Sequence, residues 1–175
     1  MFSDPQKNIE QFHVDPGMSV VDLGSGSGFY SLACARVVGD SGRVISVDIN
    51  KDLLSKLKKE AEHEGLLSLD IVWGDIDEDN GSTLSDNIAD RVLITNTLFQ
   101  VEKRENVIKE ARRILKKGGS LLVVDWSESF GGMGPQPADI VSKDDVKKMC
   151  LENGFELFQE INAGEHHYGI IFKAI

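Results

Sequence analysis

Cysteine is nearly absent. Cys34 and Cys150 are far apart, and each falls in a stretch of helical periodicity. Without a Cys-x-x-Cys pair there is no zinc-ribbon or thiol-redox signature, so both thiols read as core residues. Proline is confined to positions 5, 16, 135 and 137, which leaves the middle of the chain free to form regular elements. No apolar run approaches the roughly 18 residues of a membrane helix, and the segment starting Met1-Phe2-Ser3-Asp4 lacks the apolar core of a secretory leader. A soluble cytoplasmic protein is expected. Basic residues are also short: 19 Lys and Arg stand against 29 Asp and Glu, a formal net charge of −10. Phosphate binding depends on cations, so nucleic acid is an unfavoured partner unless a local basic patch exists.

A hydrophobic content of 41% in 175 residues is enough for one packed core, and a single domain over 1–175 is expected, as a monomer or homodimer. No internal repeat or low-complexity segment is visible. The chain is organised around Val20-Val21-Asp22-Leu23-Gly24-Ser25-Gly26-Ser27-Gly28, an apolar strand running into a glycine turn and then a helix. Gly24, Gly26 and Gly28 permit a sharp reversal that lets a ligand approach backbone N–H groups at a helix start. A second strand, over 43–47, ends in Asp48, about 20 residues past the glycines. A ribose-binding carboxylate sits there in doubly wound folds.

Helix and strand patterns alternate along the rest. Asp4 and Pro5 start a short helix reaching about Phe12, in an N-terminal arm over 1–17 that is free to act as a lid. Helix 30–38 closes at Gly39, and Leu53, Leu54, Leu57 and Ala61 mark the apolar side of a helix ending near Gly65. Strands follow over 69–73 and 91–95, with about one helical turn expected around Leu84 and Ile88. Val107, Ile108, Ala111, Ile114 and Leu115 repeat at helical spacing up to a stop at Gly118-Gly119, before a strand over 120–126. Ser142 and Asp145 form a capping box for a helix that ends at Gly154, and strands 155–161 and 168–174 follow with no helix between them, as in an antiparallel hairpin. The expected fold is α/β: a doubly wound, mostly parallel sheet with an antiparallel C-terminal hairpin.

The run Asp22-Leu23-Gly24-Ser25-Gly26-Ser27-Gly28 resembles the class I S-adenosylmethionine-dependent methyltransferases, which carry an acidic residue, an apolar residue and then G-x-G-x-G. The dinucleotide oxidoreductases place their third glycine one position later, where this chain has Phe29. The resemblance covers nearly the whole chain and implies a seven-stranded Rossmann-like sheet whose last strand is antiparallel. It also implies a cofactor, S-adenosylmethionine, held along the carboxyl ends of the strands. On that reading Asp22, Gly24, Ser25, Gly26 and Gly28 face the methionine part, with Asp22 orienting the loop or reaching the amino group through water. Tyr30 opens the following helix beside them. Asp48 accepts from the ribose hydroxyls and Ile49 packs on adenine. Asp75 and Ile76 meet the adenine amine and ring, and Asn96 lines the floor under the methionine carbons.

The implied activity is methyl transfer to an unidentified acceptor, a small molecule rather than nucleic acid. The Asn/Asp-Pro-Pro-aromatic motif of amino-methylating enzymes is missing, because Thr97-Leu98 replaces the two prolines. The C-terminal half resembles small-molecule enzymes of the arsenite and quinone-biosynthesis type, but two helical cysteines cannot supply the thiolates of arsenite transfer. His166, His167 and Tyr168 at the last strand, His13 in the arm and Tyr30 are the candidate proton acceptors; His63 reads as a solvated helix residue. Asp125 and Trp126 end the fifth strand, and the glycine- and proline-rich segment 127–141 after them is read as an acceptor rim.

Asp75, Asp77, Asp79 and Asp86 superficially follow a calcium loop. Asn80 replaces its glycine and Asp86 its glutamate, and a strand leads in, so a solvated acidic turn and no metal are expected. Two rival functions remain: a nicotinamide-dependent oxidoreductase, and a non-catalytic S-adenosylmethionine-binding module.

Overall fold

A computed structural model describes residues 3–175. Met1 and Phe2, the first two residues of the expected arm, lie outside the described residues. Helix α1 (Pro5–Gln11) starts at the Asp4 cap, whose Oδ1 accepts the Lys7 N–H at 3.3 Å, with proline at a position where its missing N–H costs nothing. Strand β1 (Ser19–Leu23), helix α2 (Phe29–Val38), strand β2 (Arg43–Asp48), helix α3 (Lys51–His63) and strand β3 (Leu69–Trp73) follow the expected alternation. Strand β4 (Ala89–Thr95), helix α4 (Arg104–Ile114), strand β5 (Leu115–Trp126), helix α5 (Lys143–Glu152), strand β6 (Phe155–Ile161) and strand β7 (His167–Ala174) complete the chain.

All seven strands join one sheet in the order β3-β2-β1-β4-β5-β7-β6. The first five pair in parallel, and β7 runs antiparallel between β5 and β6. The order reverses at β1, whose neighbours are β2 and β4, and this opens a crevice beyond the strands' carboxyl ends. Strand alternation sends Val21, Leu23, Val92, Ile94, Leu121 and Val123 into the layer under α4 and α5. Val20, Leu93, Leu122 and Val124 go to the opposite layer, with α1, α2 and α3. Ile9 and Phe12 are buried there, so the arm is packed onto α2. Gln11 also exchanges hydrogen bonds with the backbone of Asn162, its amide donating at 3.1 Å and accepting at 3.3 Å.

Two local expectations are corrected. No helical turn forms around Leu84 and Ile88. Asn80, Thr83 and Asn87 all have positive φ (54°, 60° and 56°), which breaks helical continuity, and polar bonds take over the anchoring. The buried Glu110 on α4 accepts the Ser82 N–H at 3.0 Å and its hydroxyl, and also pairs with Arg113 at 2.8 Å. The second concerns Leu115 and Gly118-Gly119. The helix ends at Ile114 and Leu115 already opens β5, so the two glycines lie inside the strand as a bulge. Register jumps there from Ala89 opposite Leu115 to Arg91 opposite Ser120, with Gly118 at φ +76°.

Candidate functional site

At the switch point the chain leaves β1 through Gly24 and enters α2 through Gly28, both left-handed (φ +76° and +79°). A side chain at Gly24 would sit 2.6 Å from Thr97, and one at Gly28 would collide with Leu57 of α3. The loop is therefore clamped between the segment just after β4 and α3. Its N–H groups are largely bonded within the protein: Gly24 and Ser25 donate to Val47 at 2.9 and 3.0 Å, Gly28 to Ser25 at 2.8 Å, and Gly26 to Asp48 Oδ2 at 2.7 Å. A pyrophosphate would find those four donors occupied and a carboxylate beside them. A nucleoside bearing positive charge finds carbonyls and carboxylates instead.

A cleft of about 390 Å³ lies beside the loop. Gly24, Gly26, Asp48, Ile49, Asp75 and Ile76 from the sequence-derived set line it, joined by Leu53, Gly74, Thr97, Gln100 and Val101. Asp48 ends β2 and bridges the cleft wall, its Oδ1 accepting Asn50 N–H at 2.8 Å. An ionised carboxylate has about four acceptor positions, so two remain for hydroxyl groups. Asn50 in turn caps α3 through the N–H groups of Asp52 and Leu53. Asp75 is half-buried, and its Oδ1 accepts the Asp77 N–H at 3.1 Å, fixing the turn after β3. Ile76 is buried, and Ile49 is exposed at 58% on the opposite lip.

The other sequence-derived residues lie around the cleft rather than in its lining. Asp22 is fully buried beneath the loop. Ser46 Oγ donates to Ser31 Oγ at 2.7 Å, and Ser31 Oγ donates to Asp22 Oδ2 at 2.7 Å, so the carboxyl ties β1 and β2 to the first turn of α2. Burial pushes Asp22 up to about 6, with Asp48 adding to the rise. Its Oδ1, the Ser25 hydroxyl and the Asn96 side-chain oxygen are buried with no hydrogen-bond partner among the described residues. Three unsatisfied acceptors around one glycine loop are what a bound donor-rich ligand would satisfy. Tyr30 faces the arm: its hydroxyl meets Ser3 at 2.7 Å and accepts from Asn8 Nδ2 at 2.7 Å.

Past β4 the site changes character. Asn96 has φ +52°, and its carbonyl accepts Gln100 Nε2 at 2.8 Å. Asp125, 1% exposed at the end of β5, accepts the Leu98 N–H at 3.0 Å and the Trp126 N–H at 2.8 Å, holding the segment after β4. Burial pushes its carboxyl up to about 6 despite those bonds. The Trp126 and His167 rings lie 4.3 Å apart, and Phe130 stacks on His166 at 4.0 Å. His166 Nδ1 meets Glu128 at 2.9 Å, and Ser127 N–H donates to the His166 carbonyl at 2.9 Å. Segment 127–141 is thus docked on the start of β7, with a bridge between Phe130 and Met133 and a 3-10 turn (Pro137–Asp139).

Among the proton-acceptor candidates, Tyr168 donates to the Val141 carbonyl at 2.9 Å, and burial raises its pKa. His13 is exposed beside Arg91, near the amino end of β4 and away from the cleft. The carboxylates of the calcium-like stretch are engaged locally: Asp77 accepts from the N–H groups of Glu102 and Lys103, and Asp86 pairs with Arg113. Among the lining residues that sequence reasoning missed are Thr97, Gln100 and Val101. Their position just past the end of β4 was the available signal. Glu110 carried none, being one acid on an amphipathic helix.

A methyltransferase domain family model matches residues 14–172. The chain is 28% identical to a ubiquinone/menaquinone biosynthesis C-methyltransferase UbiE of Hydrogenovibrio crunogenus, over 90% of this chain and 73% of that protein. It is 35% identical to the enzyme of the same name from Haemophilus ducreyi, over 66% of this chain, but spans only 44% of that relative's length. The crystal structure of a SAM-dependent methyltransferase from Aquifex aeolicus superposes with a TM-score of 0.89 at 22% identity, covering 99% of this chain and 91% of that one. Glycine loop, strand-end carboxylates, sheet order and family match agree, and the chain belongs to the S-adenosylmethionine-dependent methyltransferases.

Proposed function

We propose that this chain, acting as one domain, methylates a small hydroxylated aromatic acceptor. The observation that carries the reading is the change of character along the strand ends. Carboxylates and occupied N–H groups line the β1–β3 side, and aromatic rings cluster beside β5 and β7. S-Adenosylmethionine, when bound, supplies an electrophilic methyl group on a sulfonium. Asp48 would hold its ribose on the free lone pairs, with Asp75, Ile76 and Ile49 around adenine. The Gly24, Ser25, Gly26 and Gly28 loop would hold the methionine end, with Asp22 and Asn96 next to it. Tyr30 would act through the arm.

Alignment of acceptor, methyl carbon and sulfur accounts for much of the acceleration in such a transfer. Asp125 serves that alignment by fixing the segment after β4, and the flat faces of Trp126 and Phe130 suit a planar ring. The curated relatives are named for methylating carbon in quinone biosynthesis, which supports an aromatic acceptor. The net charge of −10 disfavours nucleic acid. Among the described residues no helix is long and apolar enough to cross a membrane, and a cytoplasmic location is part of this proposal. The test is methyl transfer from methyl-labelled S-adenosylmethionine to 1,4-naphthohydroquinone, kept anaerobic, alongside fractionated metabolites, protein and RNA. Label in aromatic metabolites supports the reading; label in RNA or protein alone overturns it. Cofactor binding with no label in any fraction would favour a non-catalytic binding module.

A further inference from the structure

The sheet's carboxyl edge continues past the nucleotide cleft to β4, β5 and β7, where the face toward α2 ends in Thr95, Trp126 and His167. Strand alternation puts them on that face, since Leu93, Leu122, Val124 and Ile171 of the same parity lie in the layer with α1 and α2. His167 is 8% exposed, faces Trp126 across the β5–β7 pair, and neither of its ring nitrogens has a hydrogen-bond partner among the described residues. A histidine retained only for packing would be expected to have a carbonyl or hydroxyl within reach, because an imidazole brings one donor and one acceptor into the interior. An apolar residue would pack as well without that cost.

We propose that His167 is the general base of the transfer, taking the proton of an acceptor hydroxyl. This rests on the aromatic-acceptor reading above. The O–H bond breaks toward a ring nitrogen of His167, and the oxygen's electron pair flows into the aromatic ring. A ring carbon forms the new carbon–methyl bond while the sulfur–methyl bond breaks, its pair remaining on sulfur. The ring proton at that carbon then moves to the oxygen and restores aromaticity, so one proton in all leaves, on His167.

Burial, and then the neighbouring His166, lower the pKa of His167 and keep it neutral and able to accept. The other titratable groups nearby are Glu165 in the β6–β7 turn, Glu128 paired with His166, and Asp125 and Tyr168 on the opposite face of the sheet. Both ring nitrogens are buried here, so the proposed transfer requires segment 127–141 to shift and admit the acceptor. Gly134 (φ +82°) lies so close over Trp126 that an added Cβ would be 2.7 Å from the indole, so this glycine turn packs directly on the ring.

The test compares the wild type with His167→Gln and His167→Phe, using anaerobic 1,4-naphthohydroquinone as acceptor. Both variants should bind S-adenosylhomocysteine within twofold of wild type by calorimetry, and His167→Phe should melt no lower. Methyl transfer should fall at least 100-fold at pH 7. The wild-type rate should fall as pH drops through the lowered imidazole pKa, whereas the His167→Gln rate should rise steadily with pH as the acceptor ionises unaided. With S-adenosylhomocysteine bound, adding the hydroquinone should shift a ring ¹⁵N signal of wild-type His167, a readout that stands even if the variants misfold. Turnover of His167→Gln within threefold of wild type with an unchanged pH profile, or a bound hydroquinone that leaves the ¹⁵N signals in place, overturns the proposal. A wild type that binds S-adenosylhomocysteine but neither binds nor methylates the hydroquinone refutes the aromatic-acceptor reading, and this proposal with it.

Discussion

Asp48 carries two functions on one carboxylate: it fixes the glycine loop through Gly26 and has lone pairs to offer the cleft. Asp48→Ala should therefore weaken S-adenosylhomocysteine binding at least tenfold, about 1.4 kcal/mol, in calorimetry. Unchanged affinity would remove Asp48 from the site. Asp22 and Asp125 make a prediction of a different kind. Both have folded pKa values raised to about 6, so between that value and the ordinary carboxylate range the folded state binds more protons than the unfolded. Their stabilising contribution is full below the unfolded pKa and is lost as pH rises through about 6, on the order of 2–3 kcal/mol for each. Asp22→Asn, tested by urea unfolding at pH 5 and pH 7.5, should have a smaller stability difference between the two pH values than wild type. An equal difference would mean that burial does not govern this carboxyl. Tyr30→Phe should lower the melting temperature by leaving the buried Asn8 amide with one partner fewer, while cofactor affinity stays within threefold. A tenfold loss of affinity would place Tyr30 against the cofactor instead.

At the scale of elements, the glycine and proline stops located nearly every helix and strand, because capping and hydrophobic periodicity are local properties. The exceptions have non-local causes. The turn expected around Leu84 and Ile88 gives way to a segment held by Glu110, 28 residues from Ser82. Gly118-Gly119 ends no helix; it bulges a strand whose register is set by β4. The site shows the same division. Asp48 is the last residue of β2 and Asp75 follows β3, so both reach the cleft, whereas Asp22 lies one residue inside β1 and turns toward α2. All three acids were legible, but their separate roles depended on where each strand ends. Glu110→Ala should cost roughly 2–3 kcal/mol in chemical unfolding by orphaning the buried Ser82 N–H and leaving Arg113 with Asp86 as its one remaining carboxylate partner among the described residues. A loss below about 0.5 kcal/mol would show that the segment holds itself. Deleting residues 131–134 should impair methyl transfer far more than S-adenosylhomocysteine binding. Equal loss of both would deny this segment a place on the acceptor side.

Across the whole molecule, the sheet order sets the layout: the cleft proposed for the nucleoside lies by β1 to β3 on one side of the switch point, and β4, β5 and β7 on the other carry the aromatic end. The same fold hosts other chemistry in other proteins, so the claim lies in the site and not in the topology. Its central point is that a cleft with internally bonded loop N–H groups and three lining carboxylates, Asp48, Asp75 and Asp77, selects a nucleoside without phosphates. Thermal unfolding with S-adenosylhomocysteine and with NADH, in parallel, tests it most directly. Near 100 times its dissociation constant, S-adenosylhomocysteine should raise the melting temperature by roughly 5–10 °C, and NADH at the same concentration should leave it unchanged. A shift with NADH and none with S-adenosylhomocysteine would contradict the account.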